Sequence, residues 1–163
     1  MMNASNHKTQ NKGKNHYTKF IGMLGASFVA MYITMYLNTY ELDHVYFSLT
    51  RFYMSCLGIA TMALIMFIFM RSMYQNKKKN IAIVFGSIAL FISALGLVRA
   101  QTPIIGDVLW MKAMIPHHSI AILTSSRADL QDPEVKKLAE NIIQAQEQEI
   151  EEMKAMIKRL QSK

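Results

Sequence analysis

By its hydrophobic pattern the chain divides into a polar opening, three long apolar runs and a closing third with apolar residues at helical spacing. Phe20–Leu37, Phe52–Met70 and Ile81–Val98 contain no charged side chain. Each approaches the roughly 20 apolar residues, range about 17–25, that a membrane-spanning helix needs. None carries the polar face of a helix on the surface of a soluble core, so three transmembrane helices are expected over 20–99. The first run is too long for a signal-peptide core and lacks a small-x-small exit, so it reads as a retained span. Met1–Lys19 is polar, lysine-rich and aperiodic, and is expected to be a disordered cytoplasmic tail.

Beyond Val98 the period changes. Gln101-Thr102-Pro103 and Gly106-Asp107 form a short linker that ends in a helix cap. Val108, Met111, Met114, Ile115, His118, Ile122 and Ser125 then recur at three- and four-residue spacing. Asp132 as cap and Pro133 at the first helical position open a second helix, with Val135, Leu138, Ile142, Ile143, Ile150, Met153, Ile157 and Leu160 on its apolar positions. Ala128–Asp132 is short enough to force the two helices antiparallel, giving an all-α chain: three spans, then a helical hairpin over 104–163. A turn near residue 131 lets Met153 and Met156 approach Met111 and Asp107, and Gln146 and Glu149 approach Met114 and His118. Two helices cannot bury both sides of their stripes. The hairpin is therefore expected to dimerise into a four-helix bundle or to lie against the membrane and the other helices.

Charge sets the orientation. Residues 1–99 hold ten Lys/Arg against Glu41 and Asp43, and residues 100–163 hold eight against nine acids, so the net +7 belongs to the apolar two-thirds. The bases cluster in connections: Lys8, Lys12, Lys14 and Lys19 before the first run, Arg71, Lys77, Lys78 and Lys79 after the second. The positive-inside rule then puts the amino terminus in the cytoplasm and the carboxy-terminal hairpin on the non-cytoplasmic face, the periplasm should the membrane be a bacterial inner one. That distribution is a topology signal and no nucleic-acid footprint, which needs a basic face on a folded domain. Cys56 is the single cysteine, so no intrachain disulfide forms.

Two thioethers and two imidazoles stand close together in Met111-Lys112-Ala113-Met114-Ile115-Pro116-His117-His118. Thioether sulfur and imidazole nitrogen select soft to borderline ions, Cu(I) first with Ag(I) as its mimic, and thioethers form no disulfides outside the cytoplasm. Met111, Met114, His117, His118, Met153 and Met156 are the candidate metal ligands. Each methionine taken singly also reads as an ordinary core filler. Adjacent imidazoles diverge by about 100° on a straight helix; Pro116 bends the axis and is one means of bringing both to one ion. Glu-x-x-His on two facing helices is not found and His-Glu-x-x-His is absent from the sequence, so di-iron and zincin chemistry have no support, and no catalytic residues are assigned. Met62, Met66, Met70 and Met73 stripe the second run and read first as packing or lipid-facing residues.

Asp107, then Met-x-x-Met-Ile-Pro-His-His-x-x-Ala-Ile at 111–122, Asp-Pro-Glu-Val-x-x-Leu-Ala at 132–139 and Ile-Ile-x-x-Gln-x-x-Glu-Ile-x-x-Met at 142–153 resemble the bacterial family known as domain of unknown function 305. The resemblance covers the last third of the chain; the three-run region resembles the family's membrane-anchored branch. It implies a ferritin-like helical fold and a copper-binding role, with Met111, Met114, His117 and His118 as ligands and Met153 on the partner helix. Leu123 and Thr124 depart from a pattern that often has methionine there. The expected function is a membrane-anchored copper binder for buffering, tolerance or transfer to a partner protein. Alternatives are a structural helical module of a membrane complex, or an accessory subunit of a metal exporter in which Glu41, Asp43 and His44 join the site.

Overall fold

In the computed structural model, which describes residues 3–101 and 104–162, the chain is built of helices, with no strand among the described residues. They are α1 (Asn3–Thr34), α2 (Leu49–Phe69), α3 (Lys77–Ala100), α4 (Asp107–Arg127) and α5 (Pro133–Gln161); single helical turns lie at Leu42–His44 and Arg71–Met73. The chain forms two compact units, one from residues up to Tyr32 with Phe52–Ala100, the other from Ile33–Arg51 with Gln101 onward.

In the first unit, α2 and α3 are long and apolar enough to cross a membrane. α3 leaves Ile81, Phe85, Ile92 and Leu95 on its outside, an apolar surface that water does not favour. α1 corrects the expectation of three spans. Its apolar run was read to Leu37, but the helix ends at Thr34, leaving 15 residues from Phe20. At 1.5 Å per residue they rise about 22 Å, short of the roughly 30 Å hydrocarbon core. α1 nevertheless runs antiparallel to α2. Tyr17 and Phe20 pack with Phe67 and Tyr74 at one end, and Phe28 and Tyr32 meet Phe52 at the other. Between them the Met31 thioether lies directly over Gly58, 2.7 Å from where a Cβ would stand. Tyr17 donates to Asn80 Oδ1 at 2.7 Å, and Asn80 donates back to the Tyr74 carbonyl at 2.9 Å, which ties the α2–α3 link. Residues 3–19, expected to be disordered, open α1 instead. They contain no proline, and Ala, Lys and Gln favour helix. Met1 and Met2 lie outside the described residues.

The second unit is the hairpin and the segment that clasps it. Asp132 accepts from the amides of Glu134 and Val135 at 2.9 and 3.0 Å, with Pro133 at the first position of α5, as the sequence led us to expect. At α4 the cap is Gly106 and Asp107 is the first helical residue, where its charge suits the helix dipole. Thr102 and Pro103 of the linker lie outside the described residues. Met111, Ile115 and Ile122 of α4 bury against Ile150, Met153 and Ile157 of α5, sealed by Tyr46, Val108, Met114, Ile143 and Leu160.

Residues 33–51 explain where α1 stops. The Arg51 guanidinium donates to the carbonyls of Met35 and Pro116 and lies 4.3 Å from the centre of the Tyr36 ring. Tyr36 in turn accepts the Ser48 amide at 3.1 Å. These contacts draw the chain out of the helix at residue 35 and onto α4. The segment thus covers part of the hairpin that was expected to need a second copy or the membrane.

Ile150→Ala should cost about 2–5 kcal/mol, since it opens a cavity in a fully buried seam, whereas Lys137→Ala at an exposed position of α5 should change stability by less than about 0.5 kcal/mol. Chemical denaturation of the detergent-solubilised chain, followed by helical circular dichroism, distinguishes the two.

Candidate metal centre

α4 and α5 bring the candidate thioethers to one seam. Met111 and Met153 are buried in the same cluster and Met114 packs against it. Met156 is 40% exposed and lines, with Met111, Asp107, Trp110 and Arg159, an open groove of about 390 Å³. The sequence placed Met153 and Met156 within reach of Met111 and Asp107, and the hairpin register agrees.

His118 sits at the edge of this seam with each ring nitrogen facing an acceptor. Nδ1 is 3.0 Å from the Met114 carbonyl, one turn back along α4, and Nε2 is 2.7 Å from Glu149 Oε2 on α5. Gln146 donates to the same carboxylate oxygen at 3.4 Å. A metal-binding imidazole is typically oriented by donating its other N–H to a carbonyl, and the Met114 contact supplies that arrangement. His117 is exposed. Its ring centre stands 6.3 Å from that of His118, with the planes inclined by 68°. The proline-containing turn therefore does not converge the two imidazoles. The arrangement gathers Met111, Met114 and Met153, sets His118 at their edge and leaves His117 outside.

One residue escaped the sequence analysis. Ser119 is fully buried in α4; its hydroxyl accepts the Tyr40 amide at 2.7 Å and lies 3.0 Å from His44 Nδ1. The signal was its spacing, four after Ile115 and three before Ile122, which puts it on the core-facing stripe. On the neighbouring turn of α5, Lys154 pairs with Asp43 at 2.6 Å and Glu151 at 2.9 Å. The Lys154 hydrogen bond holds the Asp43 carboxyl below its usual range, against the opposing effect of burial. Burial alone would lower the Lys154 ammonium, but its bonds to Asp43 and Glu151 outweigh that and raise it.

Residues 97–162 match the family described as Domain of unknown function (DUF305). A relative described as uncharacterized protein L153, from Acanthamoeba polyphaga mimivirus, is 35% identical over 146 residues, spanning 86% of this chain and 93% of the relative. No solved structure matches the chain.

Glu149→Leu removes the acceptor from His118 Nε2 and should cost about 0.5–1.5 kcal/mol, the worth of one partly exposed hydrogen bond. A thermal melt of the metal-free protein measures it; an unchanged melt would mean the contact does not form in solution.

Proposed function

We propose that this chain, which belongs to the DUF305 family, is a membrane-anchored Cu(I)-binding protein that buffers the ion or hands it to a partner protein. The observation that carries the reading is His118, oriented through Nδ1 by the Met114 carbonyl at the edge of a seam that buries Met111 and Met153 and packs Met114. The donor set fits the ion. Thioethers bind a soft cation without losing a proton, and they offer little to hard ions. Uptake at His118 exchanges the Nε2 contact to Glu149, with the proton that makes it, for a metal bond, the proton leaving to the carboxylate or to solvent. Met111, Met114, Met153 and His118 form the proposed set, with Met156 at the groove, His117 outside it, and Ag(I) as a mimic. The role is that of a binder, not an enzyme.

The membrane assignment rests on α2 and α3, with α1 packed along α2. The basic link that includes Arg71, Lys77, Lys78 and Lys79 marks the cytoplasmic side, and Tyr17 of α1 lies at that same end, bonded to Asn80. The amino terminus is then cytoplasmic. Residues 33–51 and the hairpin, which share one unit, face the other side. The sequence resemblance favours a bacterial envelope, and the 35%-identical relative is from Acanthamoeba polyphaga mimivirus; in either setting the hairpin lies on the non-cytoplasmic face of a membrane. A homodimer through the exposed Val135, Leu138 and Ile142 of α5 completes a four-helix arrangement.

One observation favours a second reading, a helical docking module. Both nitrogens of His118 already have acceptors, as in a structural clasp between two helices.

A competition titration of Cu(I) against a chromophoric chelator, on the full chain in detergent, separates the two. The copper reading expects saturable binding that weakens at least about tenfold in His118→Ala and in Met114→Leu, with His117→Ala close to the parent. No competition from the folded chain, with His118→Ala lowering only the melting temperature, would establish the docking module instead.

A further inference from the structure

We infer that Glu41, Asp43 and His44 form a divalent-cation site, suited to Zn(II), on the segment before α2. It is separate from the thioether seam and does not depend on the copper reading. The single turn Leu42–His44 brings the three side chains together, and one donor atom from each lies within 4.8 Å of the others. His44 Nε2 stands 3.6 Å from Asp43 Oδ1 and 3.8 Å from Glu41 Oε2. Those separations are too long for hydrogen bonds. They are close to the roughly 3.3–3.4 Å between ligand atoms of a tetrahedral Zn(II) with bonds of about 2.0–2.1 Å.

His44 is the second, independent sign. It is 5% exposed, and its Nε2 stands between two carboxylates, too far from either for a hydrogen bond. Its other nitrogen is already committed to Ser119 Oγ at 3.0 Å. Ser119 accepts the Tyr40 amide on one lone pair, and its second lone pair can take the Nδ1 proton. That tautomer presents the Nε2 lone pair to the carboxylates, the orientation that a hydrogen-bonded neighbour gives a ligating imidazole.

Asp43 can serve both neighbours. Its Oδ2 binds Lys154 while Oδ1 faces His44. Three protein donors leave a position for water on a four-coordinate ion. One imidazole with two carboxylates selects a borderline divalent ion, because the set holds no sulfur for Cu(I) and too few oxygens for Ca(II). Through Ser119 of α4 and Lys154 of α5, the bound ion would brace residues 33–51 against both helices of the hairpin.

The test is a Zn(II) titration of the full chain in detergent against a chromophoric chelator, with X-ray absorption on the loaded protein. The expected result is one Zn(II) per chain bound by imidazole and oxygen without sulfur. Glu41→Gln with Asp43→Asn should weaken it at least about tenfold. Both side chains are more than half exposed, at 57% and 59%, so the helical signal should persist; if the pair impairs folding, Glu41→Gln alone carries the same comparison. Met114→Leu with His118→Ala should leave Zn(II) affinity unchanged. Zn(II) binding that is absent, shows a sulfur neighbour, survives the acidic substitutions or is lost with His118 would overturn the proposal.

Discussion

The apolar seam between α4 and α5 sets the register on which every polar contact of the hairpin depends. Ile115 and Ile122 on one helix and Ile150, Met153 and Ile157 on the other leave almost no exposed surface, and each buried branched side chain contributes on the order of 1.5–3 kcal/mol. A slip of one turn would move α5 by about 5.4 Å past α4. Glu149 would lose His118, Lys154 would lose Asp43, and Met153 would leave Met111. The candidate chemistry is therefore set by hydrophobic packing. The same seam explains why methionine suits this place: its flexible thioether fills an apolar gap and still carries a donor atom.

Residues 33–51 act as the third layer that a two-helix hairpin otherwise lacks. Their attachment is mostly polar, and it reaches both helices: Arg51 and Tyr40 bind at Pro116 and Ser119 of α4, and Asp43 binds Lys154 of α5. A serine with no exposure in an apolar stripe would cost stability unless its hydroxyl were bonded. Here the Tyr40 amide and the His44 ring meet that need. A buried polar group that must be satisfied by a segment about 75 residues away in sequence also specifies where that segment docks.

The hairpin was legible because its signals are local. Asp132-Pro133 marks a helix start by backbone chemistry alone, the three- and four-residue spacing marks the buried stripe, and a short turn fixes which residues face one another. Those rules placed Glu149 near His118 and Met153 near Met111. What stayed hidden is non-local. The end of α1 at Thr34 depends on Arg51 reaching Met35 and on Tyr36 holding Ser48, contacts no hydropathy window contains. The role of Ser119 depends on a loop that sequence reading placed with the outer connections. The divergence of His117 and His118 was visible in helix geometry, and a bend at Pro116 was expected to overcome it. The structure keeps the divergence.

Burial imposes a condition on the copper reading. Met111 and Met153 are enclosed in the seam, so an ion cannot reach them from solvent without passing an exposed donor. Two such donors flank the seam. Met156 opens on the groove that also exposes part of Met111 and Asp107, and His118 borders Met114 at the level of Glu149. An entry through Met156 leads from an exposed thioether to a buried one, a soft-to-soft exchange. An entry at His118 must first displace a carboxylate contact. The groove is the less obstructed of the two. On the copper reading Met156 would then receive the ion and the enclosed sulfurs would seat it, with His118 joining them by giving up its contact to Glu149.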